Sequence, residues 1–133
     1  FVNSKNLESK TDYLIWVSKK DYQVNLFIGK NKYWSLAGSY PCTIGTDYTP
    51  TIEGEFEYIE KIKRWNYPDF YCGPVMRFYN GYALHSTLIK YDGTFYDNRV
   101  GKKLSHGCIR LRPEDINYLV EYVPLETKIL VTA

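Results

Sequence analysis

No apolar stretch in the sequence approaches the 18 or so residues that a membrane-spanning helix needs, and the first residues carry no h-region of a secretory signal. No spanning helix is therefore expected. Runs of five or more like charges are also missing: 17 basic and 15 acidic residues leave a net charge of +2, with short basic clusters at Lys19-Lys20, Lys61-Ile62-Lys63-Arg64 and Lys102-Lys103. That scatter argues against a dedicated nucleic-acid face. Histidine occurs twice, cysteine three times, and no C-x-x-C pair is present, so the spacing of structural zinc sites is lacking. Neither an internal repeat nor a low-complexity tract is found.

What is present fits one domain over residues 1–133. A chain of this length buries roughly two thirds of the surface it exposes when unfolded, so a disulfide framework is not needed to hold it. The chain begins at Phe1-Val2 without an initiating Met, and is read as a piece of a longer protein whose targeting segment lies outside it. Three cysteines leave an odd one under any pairing. If Cys42 and Cys72 bridge, Cys108 is the free thiol; the duller reading makes Cys42 and Cys72 two small buried hydrophobes.

The pattern along the chain is mostly β. Residues 13–18 and 23–28 read as two strands joined by a turn at Lys19 to Tyr22, and after the polar break 29–32 the run 33–38 reads as a third strand that continues toward Pro41-Cys42. Residues 43–51 are turn-rich, and 54–58 alternate polar with aromatic as a half-buried strand does. From Glu60 to Pro74 the pattern dissolves into charge and aromatics, and a long loop is predicted, of a length that is often functional. Asn80-Gly81 between two apolar-rich runs predicts a type I′ hairpin that ends at His85. Asp92-Gly93 predicts a second, smaller hairpin that folds away and returns. Pro113-Glu114-Asp115 opens a helix with Ile116, Leu119, Val120 and Val123 on one face, expected to end near Tyr122 or Val123, and Lys128 to Val131 closes the chain as a buried strand.

Chemistry concentrates in Leu104-Ser105-His106-Gly107-Cys108-Ile109-Arg110-Leu111. A cysteine needs a base to become a thiolate, and that base needs an orienting group, so a Cys with histidines within reach is the minimum equipment for nucleophilic acyl transfer. Gly107 leaves the backbone open where a substrate must pass, and successive amides in such a turn converge on an oxyanion.

These residues resemble the L,D-transpeptidase catalytic domain, or YkuD family. Its signature is a histidine, a spacer usually shorter than the 19 residues at 86–104 here, then Ser/Thr-His-Gly-Cys, an apolar residue and Asn or Arg. Thr49-Pro50-Thr51 with Gly54-Glu55-Phe56 looks like a second family segment, with Ile52 where the family has another proline. The resemblance implies a β-sandwich-like fold with one C-terminal helix before the last strand. It implies Cys108 as nucleophile, His85 as base, and Ser86 orienting His85 through its backbone carbonyl. The amides of His106, Gly107 and Cys108 would form the oxyanion hole, with the His106 side chain supporting the turn or touching substrate. Arg110, Tyr82 and Ser105 are substrate-binding candidates, Arg110 holding a carboxylate; a structural ion pair of Arg110 with Glu114 or Asp115 is the alternative.

The implied reaction is attack of Cys108 on the L-centre carbonyl of a peptidoglycan tetrapeptide stem, release of D-Ala, and resolution of the thioester by an amine of a neighbouring stem to give a 3→3 cross-link. Water as acceptor would make it an L,D-carboxypeptidase. No metal or organic cofactor is implied, carbapenem-type inhibitors are expected partners, and the protein is expected to be monomeric, in the bacterial cell envelope outside the cytoplasm, touching a membrane only through an N-terminal anchor before Phe1. A papain-like or NlpC/P60-type peptidase is disfavoured because its histidine follows the nucleophile, whereas none follows Cys108. A non-catalytic wall-binding module is the rival from another class.

Overall fold

The computed structural model describes residues 7–30 and 33–133. Phe1 and Val2, and Asn31 and Lys32 of the expected polar break, lie outside them. Strands β1 (Tyr13–Ser18), β2 (Gln23–Lys30) and β3 (Tyr33–Gly45) form a meander, joined by a turn in which Tyr22 takes a positive φ of 54°. They are followed by β4 (Gly54–Glu57), β5 (Glu60–Ile62), β6 (Trp65–Asn66), β7 (Tyr71–Cys72), β8 (Val75–Tyr79), β9 (Tyr82–Ser86), β10 (Leu88–Ile89), β11 (Phe95–Asp97), β12 (Lys103–Ser105) and β13 (Ile109–Leu111). Helix α1 (Pro113–Tyr122) and strand β14 (Lys128–Thr132) complete the chain.

Ten strands make one sheet in the order β4-β14-β1-β2-β3-β13-β9-β8-β5, with β12 paired to β3, while β11-β10-β7-β6 make a separate small sheet. The large sheet and α1 enclose the core. Ile15, Val17, Val24, Leu26, Leu84, Ile109, Leu111, Ile116, Leu119 and Ile129 are buried together, as the alternation in β1 and β2 and the i, i+3 spacing in α1 require. Proline at the first helical turn and the acids Glu114 and Asp115 behind it suit the positive end of the helix dipole. The fold is mostly β with one helix before the last strand, as the sequence implies.

Three local expectations are corrected. Residues 60–74 are not one long loop: three short strands form there, because β5 finds β8 as a partner and β6 pairs with β7. Strand β3 runs to Gly45, beyond the predicted strand, since its far end pairs with β13 and β12. The hairpin at Asn80-Gly81 exists, but only Asn80 (φ 47°) is left-handed and the register shifts between Arg77 and Tyr79, so the turn is not type I′. All three cysteines are free, and Cys42 and Cys72 are buried as small hydrophobes.

Candidate active site

Parallel pairing of β13 with β9 brings the two halves of the motif together. Ile109 is opposite Leu84 and Arg110 opposite His85, so Cys108, at the start of β13, comes alongside the Ala83 end of β9. Neighbouring strands lie about 4.8 Å apart, which turns a long separation in sequence into a short one in space. The intervening residues leave through β10, turn at Asp92-Gly93 and return through β11. Cys108 and His85 both line one cleft of about 380 Å³, with Trp65, Tyr67, Phe70, Cys72, Gly81, Leu88, Leu104, Ser105, His106 and Arg110.

His85 is buried, and its Nδ1 lies 2.6 Å from the carbonyl oxygen of Ser86. A carbonyl only accepts, so Nδ1 carries the hydrogen and Nε2 keeps the lone pair. Burial pushes the imidazole down to about 4, against a raising contribution from the Ser86 bond, and the nearby Arg110 charge lowers it further. The ring is therefore neutral at pH 7. Trp65 packs edge-on against it at 5.9 Å between ring centroids. The Ser86 hydroxyl is occupied elsewhere: it donates to the Thr87 carbonyl at 2.7 Å and accepts from the Gly73 amide at 2.9 Å. It thereby fixes the strand end from which the Ser86 carbonyl points.

Cys108 is partly exposed and its thiol donates to the Gly81 carbonyl at 3.3 Å. Burial pushes the thiol up from its ordinary value, while a backbone hydrogen bond from Ala83 and the Arg110 charge pull it down. Upward wins, so the resting pair is a neutral thiol and a neutral imidazole. Cys72, in the same cleft, is pushed up to about 12, chiefly by burial.

The turn before Cys108 is held from several sides. Gly107 sits at φ 126°, which side-chain-bearing residues rarely adopt, and a Cβ there would come within 2.9 Å of the Tyr82 ring. The Ser105 hydroxyl accepts from the Gly107 amide at 3.1 Å and donates to the Cys108 carbonyl at 2.5 Å. Thr49 donates its hydroxyl to the Ser105 carbonyl at 2.9 Å, and the Thr51 hydroxyl accepts from the Gly45 amide at 3.0 Å. The Thr-Pro-Thr segment is thus the brace of the cysteine turn. Gly45 is needed where this loop crosses β3, since a Cβ would meet the Thr49 carbonyl oxygen at 2.0 Å.

Several expected residues land differently from their assigned parts. The Gly107 amide, expected to meet an oxyanion, donates to the Ser105 hydroxyl instead. The His106 side chain is exposed at the cleft. Tyr82 lies behind Gly107, among Phe78 and Tyr79, and is not one of the cleft-lining residues. Ser105 lines the cleft but is engaged in the turn. Arg110 is buried and pairs with neither Glu114 nor Asp115. Its Nη1 meets Asp97 Oδ2 at 3.2 Å, its Nε has no partner among the described residues, and Asp115 pairs with Arg112. Asp97 comes from the hairpin in the lengthened spacer, and the two arginines it meets, Arg99 and Arg110, hold its carboxyl well below the usual carboxylate range.

The sequence reading gives no part in the site to Asp97, Trp65, Cys72, Leu88 or Leu104. Asp97 carries no local signal, Trp65 and Cys72 fall in the stretch 60–74 that reads as a loop, and Leu88 and Leu104 look like ordinary sheet residues. No group of three His, Cys, Asp or Glu side chains among the described residues is arranged to hold a metal ion.

Known proteins share the sequence pattern and the fold. The Escherichia coli K12 probable L,D-transpeptidase YbiS is 42% identical over 48 residues, 36% of this chain and 13% of the relative. Among solved structures, a fused Zn-dependent amidase/peptidase/peptidoglycan-binding domain-containing protein from Clostridium acetobutylicum superposes with a TM-score of 0.81 at 32% identity, covering 98% of this chain and 56% of that one. The L,D-transpeptidase LdtMt1 in complex with imipenem superposes at 0.72 and 19% identity, covering 91% and 59%, a likeness of fold. The chain thus spans under two thirds of the length of each of these relatives. The family described as the L,D-transpeptidase catalytic domain, YkuD, matches residues 12–131, and with that match over nearly its whole length the chain belongs to this family.

Proposed function

We propose that this chain is the catalytic domain of a peptidoglycan L,D-transpeptidase of the bacterial cell envelope, working outside the cytoplasm where its substrate lies. The observation that carries the reading is the 2.6 Å bond from His85 Nδ1 to the Ser86 carbonyl, which leaves Nε2 basic in the cleft that Cys108 lines.

The cycle follows from that tautomer. The Cys108 sulfur attacks the carbonyl carbon of the third stem residue while the thiol proton passes to His85 Nε2, so base and nucleophile act in one event rather than from a preformed thiolate. The tetrahedral oxyanion is met by the amides of His106 and Cys108; one such donor is worth about 2.7–4 kcal/mol in other enzymes. Collapse breaks the C–N bond, and His85 gives its proton to the departing D-Ala nitrogen. A neighbouring stem's amine then attacks the thioester, His85 takes the amine proton, and the sulfur leaves and recovers it. Water in place of the amine gives L,D-carboxypeptidase activity.

Arg110 faces the cleft two positions after Cys108 on the same side of the strand, roughly 7 Å along, with the buried Ile109 pointing away. That offset suits a substrate carboxylate near the scissile bond. Carbapenems are expected to acylate the same thiol, a reading supported by the imipenem complex of LdtMt1. The test is incubation with a defined tetrapeptide-stem muropeptide and mass analysis. A cross-linked dimer is expected; a tripeptide product alone would make water the acceptor, and no product would leave a binding module.

A further inference from the structure

Three aromatic rings lead out of the cleft in a row. Tyr67 and Phe70 line it and stack with centroids 4.9 Å apart, and Phe70 stacks in turn on Tyr96 at 4.6 Å with 28° between planes. Tyr96, on β11, is not one of the cleft-lining residues and is 49% exposed. Its one ring partner among the described residues is Phe70.

A planar donor follows three residues along the chain. Arg99 is held to Asp97 through Nε at 3.0 Å and Nη2 at 2.9 Å, which leaves Nη1 outermost on a side chain 55% exposed. The same Asp97 carboxylate reaches Arg110 Nη1 in the cleft. One carboxylate therefore ties Arg99 to an arginine of the cleft. Because stacking and bidentate pairing already hold Phe70 and Arg99, little freedom would be lost when something settles on them.

A half-exposed ring with a guanidinium three residues along the chain suits a pyranose, whose axial C–H face packs on the ring while its hydroxyl oxygens accept from nitrogen.

We propose that Tyr96, backed by Phe70, is a platform for a pyranose ring of the glycan strand that carries the stem peptide. This rests on reading the cleft as a stem-peptide site, and binding rather than turnover separates the two. The Cys108→Ala protein is titrated calorimetrically with a disaccharide-tetrapeptide and with the same tetrapeptide lacking sugar, with Tyr96 intact and as Tyr96→Ala, Tyr96→Leu and Tyr96→Phe. The sugar is expected to tighten binding roughly 3- to 10-fold. That gain should survive Tyr96→Phe and fall below twofold in Tyr96→Ala and in Tyr96→Leu, which keeps apolar bulk over Phe70. A sugar that adds nothing, or a gain that persists without the ring, overturns the platform. If the bare tetrapeptide does not bind while the disaccharide-tetrapeptide binds in a Tyr96-dependent way, the platform stands and the stem-peptide reading of the cleft falls.

Discussion

The two sheets that enclose the cleft are held by different forces. In the large sheet β2 pairs with β3 through eight residue pairs, and the strands carrying the site bury Ala83, Leu84, Ile109 and Leu111 completely. Strands of the small sheet are two or three residues long, pair through one or two contacts each, and are tied by side chains: Tyr91 donates to the Tyr67 carbonyl at 2.7 Å, and Arg64 lies 4.7 Å over the Tyr71 ring. Buried aliphatic area stabilises the first at about 25 cal/mol per Å². The second has half-exposed rings and single bonds worth about 1 kcal/mol each. Nucleophile and base therefore sit on the rigid side, while the wall that faces them belongs to the low-stability end of the molecule.

That contrast is broken most severely at His85. His85→Ala should slow acylation by about 10²- to 10⁴-fold, measured as the rate of mass increase with a carbapenem, because it removes the base while the sheet stays intact. Were the rate unchanged, exposed His106 would be the better base. On the scaffold, Leu84→Ala should cost about 2–5 kcal/mol in denaturant unfolding. A loss below 1 kcal/mol there would mean that the core does not carry the stability.

Acid should act on the rigid side as well. The His85 imidazole is held to about 4 in the folded chain against about 6.5 when unfolded, so between these values the unfolded state binds more protons. Stability that is full above pH 6.5 is then lost as pH falls towards 4, by about 3 kcal/mol, and His85→Gln should flatten this window. The Asp97 carboxyl, also shifted down, adds stability that is full above the ordinary carboxylate range and is lost only as pH falls below it, which leaves the window to His85. A wild-type curve flat from pH 6.5 to 4 would contradict the buried neutral ring.

Smaller effects follow at the turn and in the small sheet. Gly107→Ala should cost about 1–3 kcal/mol, since the new Cβ meets Tyr82 and the backbone sits at φ 126°. Tyr91→Phe should cost about 1 kcal/mol or less in global unfolding, yet raise amide exchange in residues 65–72. A global loss as large as that of Leu84→Ala would mean that the two sheets unfold as one unit.

The same contrast explains what the sequence made legible. Strands β1, β2, β8, β9 and β14 and helix α1 are read from alternation, turn residues and i, i+3 spacing, because one face of each must be buried. Cys108, His85 and the Gly107 turn stand out because few residue types supply their chemistry. In the small sheet the Asp92-Gly93 turn announces β10 and β11, whereas β6 and β7 fall in the stretch 60–74 that reads as a loop, since strands of two residues have no period to detect. The pairing of Asp97 with Arg110 joins residues of no shared local pattern, and only the return of the spacer hairpin brings them together. Likewise, that burial raises rather than lowers the Cys108 thiol depends on what surrounds it in three dimensions.

Whether Cys108 alone accepts an acyl group is decided by intact-protein mass after incubation with imipenem, compared among wild type, Cys108→Ala and Cys72→Ala, followed by peptide mapping. One adduct on Cys108 is predicted in wild type and in Cys72→Ala, and none in Cys108→Ala. An adduct that persists in Cys108→Ala, or maps to Cys42 or Cys72, would contradict the assignment of the nucleophile.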